Sequence, residues 1–261
     1  MSVTGLALTA RDIHIDLGGR PVLHGVTLAA QPAQITALVG PNGCGKSTLL
    51  SILSGVRAPA SGRVLLDRRD LTDIPTRELA RYRALVTQLN RTDTPFTVRE
   101  VVELGRYPWL RSPEAAHSEE LIDAAIAACE IGDLVDRPFP QLSGGQQARV
   151  SLARALAQDT PILLLDEPTA ALDIGHTEQV LRILRERAAA GTTVVLVVHD
   201  LSLAAAYADH VAVMKSGRIL ADGTVDEVMT AELLSTTYDH PVTVARHPES
   251  GELIVSPDRS G

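Results

Sequence analysis

Five apolar residues, Ile35 to Val39, run directly into Gly40-Pro41-Asn42-Gly43-Cys44-Gly45-Lys46-Ser47-Thr48, and a helical pattern follows from Lys46 to Ser54. No other stretch restricts the fold of this chain so tightly. The spacing is G-x-x-x-x-G-K-[ST], set between a buried strand and a helix. Glycines let backbone N–H groups turn inward around phosphate oxygens, and the helix N-terminus adds its positive dipole. Lys46 then reaches the β- and γ-phosphates of a nucleotide, and Ser47 places its hydroxyl on Mg²⁺. A chance glycine-rich turn would need neither the strand before it nor the helix behind it.

Three further apolar runs end at polar residues or turns. Ile162 to Leu165 leads into Asp166-Glu167-Pro168, Val194 to Val198 into His199-Asp200, and Val211 to Met214 into Lys215-Ser216-Gly217. Continuous apolar strands of this kind belong in a parallel sheet covered on both faces. Ligands of open α/β sheets bind beyond the carboxyl ends of such strands, where these polar residues cluster. Helical patterns lie between the strands. The one from Lys46 stops at Gly55, a C′ residue. Another starts at Ser118, read as an N-cap with Glu119 and Glu120 in its first turn and Ile122 and Ile126 along one stripe. A later one carries Val180, Ile183 and Leu184 and ends at Gly191. The expected organisation is one α/β domain: residues 1–88 and 159–225 form a nucleotide-binding core, 89–158 a helical insertion, and 226–261 a C-terminal extension.

The chain has 261 residues, 45% of them hydrophobic and 3% aromatic, so its core must be built from Leu, Val, Ile and Ala. A net charge of −8 disfavours nucleic acid as a partner, because phosphate backbones are bound by excess Lys and Arg. Two cysteines, Cys44 and Cys129, make no disulfide framework. The N-terminus lacks a signal-peptide layout, and no apolar run is long enough to span a bilayer.

Asp166 and Glu167 would be an ordinary solvated strand end in isolation. Beside a phosphate loop, Asp166 is expected to order the Mg²⁺ shell and Glu167 to orient the attacking water, since phosphoryl transfer asks mostly for positioning and charge neutralisation. His199, also at a strand end, is expected to touch the γ-phosphate. Gln88 stands where core meets helical insertion, a position from which it can bridge Mg²⁺ and a moving lobe. Ser143-Gly144-Gly145-Gln146 opens the helical run to Ala157 and offers a second anion site at a helix start.

The phosphate loop, Gln88, Leu142 to Gln146, Leu163 to Glu167, Ala171-Leu172-Asp173 and His199 occur in that order. Over nearly the whole chain this resembles the nucleotide-binding subunit of an ATP-binding cassette (ABC) transporter. The resemblance implies a P-loop NTPase (RecA-like) core with an inserted helical subdomain, and a head-to-tail homodimer. Two ATPs with Mg²⁺ are then sandwiched between the loop of one copy and Ser143 to Gln146 of the other, and Asp173 communicates across the dimer. It implies Glu167 as catalytic base and His199 as switch histidine. It also implies polytopic permease subunits in the membrane, a substrate-binding protein acting indirectly, and a place at the cytoplasmic face of the inner membrane.

Phe96 to Val102, Gly105-Arg106-Tyr107-Pro108-Trp109, Ala171 to His176 and the ending Arg246-His247-Pro248-Glu249-Ser250-Gly251 resemble importers of iron chelates and vitamin B12. The ending is most similar to haem importers and Gly105 to Trp109 to ferric-siderophore importers; for Tyr107 and Trp109 the alternative is plain packing. One departure is Leu17, near Asp16-Leu17-Gly18-Gly19, where the family usually has an aromatic residue stacked on adenine. Competing classes are a separate-subunit exporter, a soluble cassette ATPase of DNA repair or translation, and a module that binds nucleotide without hydrolysis.

Overall fold

All four apolar runs form strands. The computed structural model describes residues 5–87 and 96–259. In chain order it contains strands β1 (Leu8–Leu17), β2 (Arg20–Ala30) and β3 (Ile35–Val39), then helix α1 (Lys46–Leu53). Strands β4 (Ser61–Leu66) and β5 (Arg69–Asp70), helix α2 (Thr76–Leu79) and strand β6 (Arg83–Val86) follow. Next come helices α3 (Val98–Glu103), α4 (Ser118–Ala128) and α5 (Gly144–Ala157), joined by 3₁₀ turns. Strand β7 (Ile162–Asp166), helix α6 (Ile174–Ala189), strand β8 (Thr193–Val197), helix α7 (Leu201–Tyr207) and strands β9 (His210–Lys215) and β10 (Arg218–Gly223) return to the core. Helices α8 (Val225–Val228) and α9 (Ala231–Tyr238) and strands β11 (Val242–Arg246) and β12 (Leu253–Pro257) come last.

The main sheet has the order β10-β9-β3-β8-β7-β6. Its β9-β3-β8-β7-β6 pairings are all parallel, and only the edge strand β10 runs antiparallel. Alternate residues of one strand serve two cores. Ile35, Ala37, Val39, Leu163, Leu165, Val194 and Leu196 pack against the helices α3 to α7. Leu38, Ile162, Leu164, Val195, Val197 and Met214 pack with α1 and a second sheet, β2-β1-β4-β5, which is antiparallel. Burial on both sides is the reason the strands read as unbroken apolar runs rather than as alternations.

The antiparallel sheet was not expected from the sequence. Leu8 and Ala10 are buried, and so are Ile13 and Ile15, but the alternation slips by one residue between the pairs. A bulge at Asp12, whose φ is +50°, absorbs that slip. Gly62 lies against it: a Cβ there would stand 2.3 Å from Asp12 O, so the partner strand must carry glycine.

Helix α4 also differs in detail. His117, not Ser118, is its N-cap, and the Ser118 hydroxyl accepts from Arg106 Nε at 3.2 Å instead. The helical layer is joined to the sheet through the end of α5. Gln158 Nε2 donates to Ala80 O and Arg83 O, while Gln158 O accepts from Trp109 Nε1 at 2.7 Å. Arg106, only 3% exposed, donates to Ala157 O and Glu114 O, and burial lowers its pKa. Its guanidinium and that of Arg81 lie 5.5 and 5.3 Å from the Trp109 ring centre. Arg106 and Trp109 are thus packing residues, while Tyr107 between them is 67% exposed.

The residues past Val225 fold back onto the core, and Val228, Met229 and Leu234 are buried in the same cluster as β3. Truncating such a side chain costs the transfer energy of its methyl groups plus a cavity term. Leu234→Ala is expected to lower the unfolding free energy by about 2–5 kcal/mol in urea titrations. A loss below about 0.5 kcal/mol, the level of an ordinary surface change, would mean that this segment does not belong to the core.

Candidate functional site

Strands β3, β8 and β7 are neighbours in register and all end at the same edge of the sheet. The residues that follow them therefore meet. Gly40 to Gly45 loop out beyond β3, and Gly40, Gly43 and Gly45 have φ of +147°, +76° and +108°. Space is as restrictive as torsion. A Cβ on Gly40 would lie 2.1 Å from Met214 O, and one on Gly45 2.6 Å from Leu23 Cδ2. Asn42 and Gly43 are exposed at the tip, Pro41 is half-buried, and Thr48 continues into α1. Cys44 is buried beneath the loop. Its amide donates to Pro41 O at 3.3 Å, and its carbonyl accepts from Gly217 N at 3.0 Å.

Lys46 opens α1 and is 5% exposed, so its charge is largely removed from water. Its ammonium donates to Gly40 O at 2.7 Å and Pro41 O at 3.0 Å, both neutral carbonyls. Such bonds leave a full positive charge directed at the loop interior, where an anion would be drawn in. Ser47 Oγ donates to Asp166 Oδ1 at 3.0 Å, across from β3 to the end of β7. Burial raises the Asp166 pKa, as does the neighbouring Glu167 charge, against a downward pull from the Ser47 hydrogen bond. A carboxylate whose ionised form is disfavoured, paired with a hydroxyl oxygen, is a hard oxygen donor set that a small divalent cation would stabilise. Mg²⁺ commonly takes one or two protein oxygens plus phosphates rather than a full protein cage. The oxygen pair of Ser47 and Asp166 fits that mode; among the described residues no cluster of three His, Cys, Asp or Glu could hold a metal alone.

Glu167 has φ +51°, a costly conformation for a non-glycine residue. The left-handed turn breaks β7 while the Glu167 amide still donates to Val197 O at 3.1 Å. Its carboxylate pairs with His199 Nε2. Lys46, Ser47, Asp166, Glu167 and His199 are thus brought to one crevice. Gln88 lies outside the described residues.

Ser143, Gly144, Gly145, Gln146 and Asp173 form a second group. Ser143 is the N-cap of α5, with its Oγ accepting from Gln146 N and its N–H donating to Gln146 Oε1, a reciprocal cap. A Cβ on Gly145 would lie 2.9 Å from Ala171 O, so glycine permits the close approach of the two loops. Asp173 caps α6, accepting from His176 N at 2.9 Å and pairing with His176 Nδ1 at 2.8 Å. Those hydrogen bonds hold its pKa below the ordinary range. His176, which the sequence offers only as the end of the motif Ala171 to His176, is the partner of Asp173, and Asp-x-x-His at a helix start was a usable signal for that pairing. Between Gly144, Ala171 and Glu167 lies a small cavity of about 140 Å³. Leu17 ends β1 and is half-buried against the core of the antiparallel sheet.

The family described as "ABC transporter" matches residues 23–170. "Hemin import ATP-binding protein HmuV" of Nocardia farcinica is 52% identical over 98% of this chain and 90% of that protein. The protein of the same name in Streptomyces coelicolor is 51% identical over 96% and 90%. Among solved structures, an inward-facing metal-chelate type ABC transporter superposes with TM-score 0.81 at 25% identity, over 98% of this chain and 99% of that one. A dimeric ATP-binding cassette with ADP and phosphate bound gives TM-score 0.75 at 28% identity, over 84% and 98%.

Burial, the largest influence, pushes the Cys44 thiol pKa up against the pull of nearby Lys46. Since the thiolate is the reacting species, alkylation by iodoacetamide at pH 8 is expected to run at least about tenfold slower than for a free thiol and to accelerate as pH rises. A rate equal to that of free cysteine would contradict the buried placement.

Proposed function

Because the chain belongs to the ABC transporter family, we propose that it is the ATP-hydrolysing subunit of a bacterial iron-chelate importer, with haem as the cargo. The convergence of Lys46, Ser47, Asp166, Glu167 and His199 at three adjacent strand ends carries the catalytic half of this reading. The names of the relatives support haem over a ferric siderophore or vitamin B12.

In the proposed reaction, the backbone amides of Gly40 to Gly45 surround the phosphates and Lys46 turns from its two carbonyls to the β- and γ-phosphates. Ser47, Asp166 and Gln88 would hold Mg²⁺, which would neutralise charge on the phosphate oxygens. Glu167 accepts a proton from the water that attacks the γ-phosphorus, and ADP leaves with the β–γ bridging oxygen. His199, paired with Glu167, orients that carboxylate and contacts the γ-phosphate. Ser143 to Gln146 of a second copy cover the same ATP, with Asp173 beside them, so that ATP closes the dimer first and hydrolysis, by removing the γ-phosphate contacts, reopens it.

Closure would be passed to polytopic permease subunits at the cytoplasmic face of the membrane, and through them to a substrate-binding protein. Among the described residues no helix is long and apolar enough to cross a membrane, so attachment depends on partners. Phe96, Leu104, Tyr107 and Leu110 are exposed apolar residues of the helical layer and are the proposed seat for a short permease helix.

Glu167→Gln keeps the shape of the side chain and removes the base. ATP hydrolysis is expected to fall at least about 100-fold, with the ATP dissociation constant little changed in calorimetry. Near-normal steady-state hydrolysis in that variant would remove Glu167 from the role. Leu17→Tyr is expected to tighten ATP binding by adding a stacking surface for adenine; unchanged affinity would put the base elsewhere.

A further inference from the structure

Helix α7 starts two residues after His199, and its two ends are tied to different parts of the molecule. At its last residue the Tyr207 hydroxyl pairs with Glu178 of α6. Arg185 of the same helix donates to Asp209 Oδ1 at 2.7 Å, and Asp209 Oδ2 accepts from Ile35 N at 2.8 Å. That end is thereby fixed to α6 and to the start of β3. The first turn is the end that bears on the site. Asp200 is its N-cap, with Oδ1 accepting from Ser202 N at 2.8 Å and Leu203 N at 3.2 Å. The Ser202 hydroxyl takes no part in this cap and instead accepts from Val255 N of β12 at 3.2 Å.

A two-stranded hairpin is marginally stable by itself, but this one is held from several sides. β11 and β12 pair antiparallel with Val244 opposite Val255, and the Val255 amide is directed out of the hairpin to α7. Val242, Val244, Leu253 and Val255 pack against the core cluster that includes β3 and β7. Val242 N donates to Ser235 Oγ of α9 at 2.9 Å, and Arg246 joins Asp226 of α8 to Gly251 O in the hairpin turn. The strand that reaches Ser202 is therefore anchored independently of α7.

The path from this bond to the chemistry is short. Ser202 N bonds the Asp200 carboxylate, Asp200 directly follows His199, and His199 Nε2 pairs with Glu167. The His199 side chain is 43% exposed and that of Glu167 only 13%. The imidazole is thus placed more by the backbone that carries it than by packing around its ring. A first turn of α7 free to shift would carry the histidine away from the carboxylate it orients.

We propose that Ser202 is a positioning residue for hydrolysis: by receiving the Val255 amide it lets the C-terminal hairpin hold the first turn of α7, and with it His199, in place against Glu167. The inference rests on the proposed ATP site and gives the hairpin a part in turnover. A net hydrogen bond of ordinary strength corresponds to about threefold to tenfold in rate.

The test is steady-state ATP hydrolysis and thermal denaturation of the wild-type chain, Ser202→Ala, Ser202→Thr, Val255→Pro and His199→Ala. In histidine-labelled protein the His199 ring signal is followed by NMR and identified by its loss in His199→Ala. Ser202→Ala is expected to lower kcat about threefold to tenfold, with KM for ATP and melting temperature unchanged and the His199 signal shifted or broadened. Val255→Pro removes the same bond from the donor side, at an outward-facing strand position where proline is tolerated, and is expected to do the same. Ser202→Thr keeps the hydroxyl and is expected to restore kcat. Wild-type kcat in Ser202→Ala would overturn the role of Ser202 and leave the ATP site intact. A slowed Ser202→Ala whose His199 signal is unmoved, or whose melting temperature falls, would also overturn it, since the rate would then be lost by another route. Wild-type hydrolysis in His199→Ala would instead overturn the reading of the site, and this inference with it.

Discussion

The parallel pairing of β3 with β8 and of β8 with β7 is the constraint on which the candidate site depends. Parallel strands in register finish on one edge, and the residues beyond them meet without any long connection having to be ordered for the purpose. Such a sheet must be covered on both faces, which here takes the helices on one side and α1 with an antiparallel sheet on the other. Buried Leu and Val side chains are each worth about 1.5–3 kcal/mol. That stability tolerates local costs at the edge: three glycines at positive φ, Glu167 in a left-handed turn, and a nearly buried lysine.

How much of this could be read from the chain varied with the kind of signal. The four core strands were legible because burial on both faces leaves no polar interruption, and the phosphate loop was legible because its glycines have steric reasons to be there. The antiparallel sheet was hidden by one residue. The bulge at Asp12 shifts the pattern from Leu8 and Ala10 to Ile13 and Ile15, so no single period-2 window spans β1. Ser118 was misread as a cap because its hydroxyl is used by Arg106, a tertiary contact with no local trace.

The site showed the same division. Lys46, Ser47, Asp166, Glu167 and His199 each stood at the end of an apolar run or in a motif, and topology brings them together. Ser143 and Asp173 cap helices, a role their residue types advertise. The placement of α9 gave no signal, since nothing in the local sequence says that it folds back onto the sheet. Its position depends on Lys215 and on the packing of Leu234.

The proposed chemistry depends on a second copy, whose Ser143 to Gln146 would cover the ATP held by the phosphate loop of the first. The most direct measurement is the mass in solution of the Glu167→Gln chain by light scattering, with and without Mg-ATP, alone and with Ser143→Arg added. Joint clasping of ATP predicts that Mg-ATP doubles the mass and that Ser143→Arg keeps it at one chain while calorimetry still detects bound ATP. A single-chain mass throughout, or a doubled mass indifferent to Ser143→Arg, would contradict it.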